Sequence, residues 1–201
     1  MVNQNKLIII ISSPSGAGKT TVTKQLLKKI PRSYLAVSCT TRKPREGEIN
    51  GKDYFFITKE KFFKLKKESK FLETAKIFDN YYGTLLKEFN KKKPFLLLDV
   101  DWQGARNIRK KSLPNCYSFF LLPPSLVELK RRLLKRHRND TSTAIKRISS
   151  AKKDIKHWKE YDYVFINKKL EICVKKIIKK VNDLKDASIE KYKIEKLVKN
   201  I

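Results

Sequence analysis

The stretch "LIIIISSPSGAGKTT", residues 7–21, constrains this chain more than any other part of it. The aliphatic run Leu7–Ile11 predicts a strand buried on both faces. Thr20–Ile30 then carries apolar residues at Val22, Leu26, Leu27 and Ile30, the spacing of a helix that Pro31 ends. A strand, a glycine-rich turn and a helix in that order are the setting a phosphate-binding loop requires. "SPSGAGKT" departs from the pattern G-x-x-x-x-G-K-[ST] only at its first position, where Ser13 replaces glycine. Gly16 and Gly18 let backbone N–H groups turn inward as an anion nest, and the helix N-terminus adds a favourable dipole. Ser15, Gly16, Ala17, Gly18, Lys19, Thr20 and Thr21 are therefore the expected cradle of a phosphate chain. Lys19 is placed to reach the β- and γ-phosphates, and the Thr20 hydroxyl to meet Mg²⁺.

Beyond this unit, Phe95–Asp99, Ser118–Leu122 and Tyr163–Ile166 read as further buried strands. Helical segments are expected at Trp102–Lys111, Ser125–Lys135, Thr141–Trp158 and around Ile172–Val181, and the residues from Ser188 onward as a separate charged surface helix. Strands alternating with helices predict a parallel α/β core. Two stretches break the alternation. One is the mixed stretch 36–91, an insertion from 38 on, with extended pieces "AVSC", "YFFI" and "FLETAKIF" and a helix at Lys59–Lys67. The other is a basic helical segment over 125–158. Both read as insertions on a core made of 1–37, 92–124 and 159–201.

Composition limits the partners. No apolar run approaches the length of a membrane span, and the three scattered cysteines suit reduced thiols in a cytoplasmic protein. The net charge of +28 is what a nucleic-acid binder would carry, yet the lysines are spread along the chain rather than gathered into one arm. Nucleic acid is thus not the expected main partner, and small anions are attracted either way. No heptad or apolar patch declares an oligomer.

Four further motifs carry chemistry. In "LLLDVDWQG", Asp99 or Asp101 ends a strand where a metal-side or substrate-binding carboxylate is expected, and Asp101 can equally be a helix N-cap. "SCTTRKPREGEINGKDYFF" gathers Ser38, Arg42, Arg45 and Tyr54, donors that match phosphate oxygens. In "FLETAKIFDNYYGT", Glu73 is a charge in an apolar stretch, costly unless partnered. A carboxylate suits a ligand edge with two adjacent N–H donors, which guanine has and adenine lacks. Finally, Arg132 and Arg136 share a helix face and Arg147 follows, converging cations suited to phosphoryl transfer.

Taken in order, "PSGAGKT", "TTRKPREGEINGKDYFF", "FLETAKIFDNYYGT", "LLLDVDWQGA" and the arginine-bearing helices resemble the guanylate kinase family, from about Lys6 to about Asn182. The resemblance implies an α/β fold: a P-loop NTPase core whose parallel sheet is flanked by helices, a mixed α/β NMP-binding insertion at 38–91, and a helical lid at 125–158. It implies transfer of a phosphoryl group from ATP to GMP or dGMP, in line, with Mg²⁺. By resemblance, Ser38, Arg42, Arg45, Tyr54 and Tyr82 hold the GMP phosphate. Glu73, Thr84 and Asp101 read guanine, and Asp99 joins Thr20 near the metal. Lys19, Arg132, Arg136 and Arg147 are catalytic. The family tolerates Ala or Ser at the position of Ser13. Its lid commonly reads Gly-Arg-Gly where this chain has Lys135-Arg136-His137. The competing readings are a kinase for another nucleoside monophosphate, a non-catalytic guanylate-kinase-like binding module, and an RNA- or DNA-binding protein.

Overall fold

The structure is a computed structural model describing residues 6–138 and 140–198, with backbone alone for 192–198. The ends of the outer core segments, residues 1–5 and 199–201, and Asn139 of the 125–158 insertion lie outside the described residues. Five parallel strands form the main sheet in the order β2 (Ser33–Leu35), β7 (Phe95–Asp99), β1 (Leu7–Ser12), β8 (Cys116–Leu122), β9 (Tyr163–Ile166).

Alternation along β1 explains why its run is wholly apolar. Leu7, Ile9 and Ile11 face one layer, packed on Val22 and Leu26 of α1 (Lys19–Lys29) and on Cys173, Val174, Ile177 and Val181 of α6 (Leu170–Val198). Ile8 and Ile10 face the other layer, with Leu96, Leu98, Phe120 and the α3 (Trp102–Arg109) residues Ala105 and Ile108. A parallel strand covered by helices on both faces cannot spare a polar position.

Chain order reverses at β1: the next strand lies to one side, beyond β7, whereas β8 lies on the other. In open α/β sheets the crevice at the carboxyl ends of strands beside such a reversal is the ligand site. Here it is bounded by the loop after β1 and the end of β7.

The second sheet has the order β4 (Phe55–Phe56), β3 (Ser38–Thr40), β6 (Asn80–Leu85), β5 (Phe71–Ile77), with α2 (Lys59–Lys67) packed on it through Phe62. The lid segment is α4 (Leu126–Arg136) against α5 (Thr141–Ile155), sharing a small core of Leu129, Leu133 and Ala151.

Four local expectations differ from the structure. The piece "AVSC" belongs to no single strand: Ala36 and Val37 link β2 of the main sheet to β3 of the small one. Strand β6 pairs antiparallel with β5, an element its glycine and tyrosines concealed. The helix expected to reach Trp158 ends as an α-helix at Ile155 and tightens into a 3₁₀ turn over Lys156–Glu160. The terminal helix expected from Ser188 is not separate, because α6 continues unbroken to Val198. Nothing between Leu184 and Ser188 is a glycine or proline that would stop it.

Candidate active site

The phosphate loop is held from three sides. Gly16 and Gly18 have φ of 87° and 93°, the left-handed region that glycine enters without strain. Space also excludes a side chain. A Cβ on Gly16 would sit 3.0 Å from Leu133 Cγ of α4, and one on Gly18 would sit 2.5 Å from Asn167 Nδ2. Asn167, just after β9, donates from Nδ2 to the Ala17 carbonyl at 2.8 Å. Ala17 is accordingly buried beneath the loop and does not line the cavity, whereas Ser15, Gly16, Gly18, Lys19, Thr20 and Thr21 do. Asn167 carries no motif signal. Only its place after a core strand's end marks it.

Lys19, the first residue of α1, is ion-paired with Asp99 at the end of β7 and donates to the Val100 carbonyl at 2.9 Å. Burial works to lower its pKa, but the Asp99 carboxylate outweighs that and leaves it raised, so Lys19 is firmly cationic. Asp99 therefore serves first as the lysine's counter-ion. For a metal, Thr20 and Asp99 supply a hydroxyl and a carboxylate at the cavity wall. No cluster of three or more acidic, histidine or cysteine ligands exists among the described residues. An all-oxygen pair completed by phosphate oxygens and water fits Mg²⁺, which rarely has an all-protein cage.

Both sheets open onto one cavity of about 660 Å³. At its basic corner Arg42 makes a two-pronged pair with Glu48, Nη1 to Oε2 at 2.7 Å and Nη2 to Oε1 at 2.8 Å, and lies 5.2 Å from the Tyr54 ring. Glu48 also accepts from the Arg45 backbone N–H at 2.7 Å. Its hydrogen bonds to Arg42 hold its carboxyl down at about 2, so it stays ionised and fixes the Arg42 fork. Glu48 was not singled out in the sequence. Its signal is its place in the turn right after Gly47. Arg45, Arg136 and Arg147 converge on the same corner. Burial, then the nearby Arg45 and Arg136 guanidiniums, push Arg147 down. Arg147 Nη1 donates to Ser15 Oγ at 3.4 Å, tying lid to loop. Arg132 lines the cavity too and is held by Glu128 at 2.8 Å.

The opposite corner is acidic. Glu73 is 6% exposed, and its Oε1 accepts from both the backbone N–H and the hydroxyl of Thr84, each at 2.9 Å. Its Oε2 has no protein donor among the described residues and lies against Gly104, where a Cβ would come within 2.6 Å of it. An irregularity in the β5–β6 register between Phe71 and Glu73 lets both Leu72 and Glu73 turn inward. Desolvation dominates the carboxyl and pushes it up to about 7. Thr84 is fully buried and does not line the cavity. It acts through Glu73 and through Ser38, whose hydroxyl lies 3.1 Å from its own. Asp101 caps α3 by accepting from the Gly104 N–H at 2.9 Å, and it also lines the cavity. Tyr54 and Tyr82 line the wall between the two corners, their rings 6.0 Å apart.

This layout has counterparts. The guanylate kinase family model matches residues 4–184. Guanylate kinase of Rickettsia felis is 47% identical over 182 residues, covering 88% of this chain and 94% of that protein. The enzyme of Paramagnetospirillum magneticum is 43% identical over 169 residues, 83% and 79% of the two chains. The crystal structure of guanylate kinase from Anaplasma phagocytophilum superposes with a TM-score of 0.75 at 31% identity, covering 90% of this chain and 87% of that one. Likeness of that extent runs through both insertions as well as the phosphate loop, and this chain belongs to the guanylate kinase family.

Proposed function

We propose that this protein transfers the γ-phosphoryl group of ATP to GMP or dGMP. Family membership supports the phosphotransfer. The observation that carries the acceptor is Glu73: a buried carboxylate in the cavity lining, with one oxygen fixed by Thr84 and the other without a protein donor among the described residues. Once ionised, that oxygen can take an N–H from guanine and has only lone pairs to offer the N1 of adenine.

The residues divide the work by position. The loop from Ser15 to Thr21 takes the ATP phosphates on its inward N–H groups and the α1 dipole. Ser38, Arg42, Arg45, Tyr54 and Tyr82 take the GMP phosphate, while Glu73 and Asp101 take its base. Thr84 holds Glu73 in place. Lys19, already cationic, sits between the two phosphate sites, and Arg132, Arg136 and Arg147 balance the charge that spreads over the equatorial oxygens during transfer. Thr20 and Asp99 would hold Mg²⁺, which when bound screens the ATP phosphates and withdraws charge from them. Two anions must be pressed together, and the cationic corner is built for that load. The lid helices exclude water, whose attack on ATP would compete with transfer.

The test is a coupled assay with ATP, Mg²⁺ and a panel of monophosphates. GMP and dGMP should turn over far faster than AMP, CMP, UMP or dTMP. A preference for AMP overturns the guanine assignment. Lys19→Ala should abolish turnover, whereas a binding module would keep its affinity for phosphorylated ligands through that change.

A further inference from the structure

The cavity's base-binding corner has a third carboxylate, and it belongs to the lid. Arg147, Ser150, Asp154 and His157 line the cavity from α5 and the turn after it, at spacings of three, four and three residues that keep them on one helical face. Arg147 lies at the phosphate corner, bonded to Ser15. Asp154 lies two turns on, roughly 10 Å along the axis, about the span of a nucleotide from phosphate to base. There burial, and after it the charge of Asp101, push the Asp154 carboxyl up to about 6, against the lowering effect of His157 and of a hydrogen bond from Trp102.

The end of α5 beyond Asp154 is anchored. The His157 ring stacks on Trp102 of α3 at 3.8 Å between centroids, and the Arg106 guanidinium lies 4.8 Å from the Trp102 ring. Glu160 accepts from Arg106 and from Arg109 at 2.7 Å, and meets His157 Nδ1 at 2.7 Å. Asp154 sits one turn before this anchor, so it stays beside the base site while the rest of α5 extends over the phosphates.

The acceptor capacity at this corner also points to Asp154. Glu73 Oε1 already takes two donors from Thr84, leaving the two lone pairs of Oε2 against guanine's three N–H donors. The Asp101 oxygens accept from Gly104 and Gln103. Guanine presents N1–H and a 2-amino group with two hydrogens, more donors than the open Glu73 oxygen can take. We propose that Asp154 is a base-reading residue of the lid, accepting from the guanine 2-amino group, so that a correctly seated base fixes α5 in register and keeps Arg147 over the phosphates. The proposal rests on the guanine reading above. It makes lid geometry depend on base identity: a base without that amino group leaves the lid carboxylate unpaired and Arg147 less well directed.

The experiment compares GMP with IMP, which lacks only the 2-amino group, in the wild type and in Asp154→Ala and Asp154→Asn. Ala favours helix and removes the acceptor. Asn keeps a neutral acceptor. In Asp154→Ala, kcat/KM for GMP should fall about tenfold, the scale of a hydrogen bond to a charged group, while kcat/KM for IMP changes less than twofold. Asp154→Asn should fall between, and KM for ATP should hold in both. An equal loss for GMP and IMP means a merely structural lid residue and overturns the proposal. So does an unchanged value for GMP. If instead the wild type shows no preference for GMP over AMP, the guanine reading itself fails, and that result is distinct.

Discussion

At the scale of single residues, Glu73 makes a signed prediction. Its carboxyl stands at about 7 against an ordinary 4.5. Between those values the folded protein holds a proton that the unfolded chain has released, so this group's contribution to stability falls as pH rises through that window. Glu48 and Glu160, held near 2 by their arginines, act in the opposite sense: their stabilisation is lost as pH falls below 4.5. Guanine N–H donors favour the ionised Glu73, so GMP binding expels the proton. The affinity for GMP should therefore rise with pH up to about 7 and then level off. The GMP phosphate also titrates, near 6, and contributes a part of this slope. Glu73→Gln should keep only that part, with kcat/KM for GMP lowered on the order of 10²-fold because the pocket's charged acceptor is gone. A full pH profile retained by Glu73→Gln would remove Glu73 from the base site. Asn167 offers a second test. Asn167→Ala leaves the buried Ala17 carbonyl without its donor, at a cost of about 1–3 kcal/mol, and loosens the loop that Gly18 shares with it. The thermal midpoint should drop and KM for ATP should rise severalfold, with KM for GMP little changed.

At the scale of elements, α3 sets two preferences against each other. Gly104 lies in its first turn, where alanine would ordinarily stabilise the helix by about 1 kcal/mol. Here the added Cβ would meet Glu73 Oε2 at 2.6 Å, and the neighbouring Val100 Cβ at 3.2 Å leaves little room to retreat. Gly104→Ala should thus raise KM for GMP at least tenfold while KM for ATP stays within twofold, an outcome that helix propensity alone would not give. The sequence announced α3 by its periodicity and by Asp101, but not this approach, because a contact between a helix and the other sheet's strand has no local pattern. The same limit explains other differences. Leu7–Ile11 and Phe95–Asp99 were legible because burial on both faces leaves an unbroken apolar run. Strand β6 was not, since "NYYGTL" owes its shape to pairing with β5 and β3. Phosphate-loop residues and paired arginines carry type-specific chemistry and could be named in advance. Glu48, Asn167, Asp154 and His157 act by position, and position appears only once the chain is folded.

At the scale of the whole molecule, the excess of basic residues has to be divided between the site and the surface. The structure has gathered a part of the basic residues into the cavity, as Arg42, Arg45, Arg132, Arg136, Arg147, Lys19, Lys76 and Lys153, while most lysines lie exposed on the helices. Exposed charges farther than about 8 Å from a ligand are largely screened at physiological salt, whereas Arg42, Arg132 and Arg147, half-buried in the cavity, are screened less. Substrate capture and chemistry should therefore respond differently to salt. Raising ionic strength from about 50 to about 500 mM shortens the screening length several-fold, so KM for GMP should climb severalfold as the long-range pull of the surface is lost. At saturating substrate, kcat should move less than twofold, because the charges that act on the transferring phosphoryl group are enclosed with it. Replacing exposed Lys175, Lys176 and Lys179 of α6 by glutamine should lower the salt slope of KM only slightly and leave kcat unchanged, since that helix packs across the sheet face on α1 through Cys173, Val174 and Ile177. A kcat that falls in parallel with KM as salt rises would mean that the arginine corner stays open to solvent during transfer, and that the lid does not enclose the reaction.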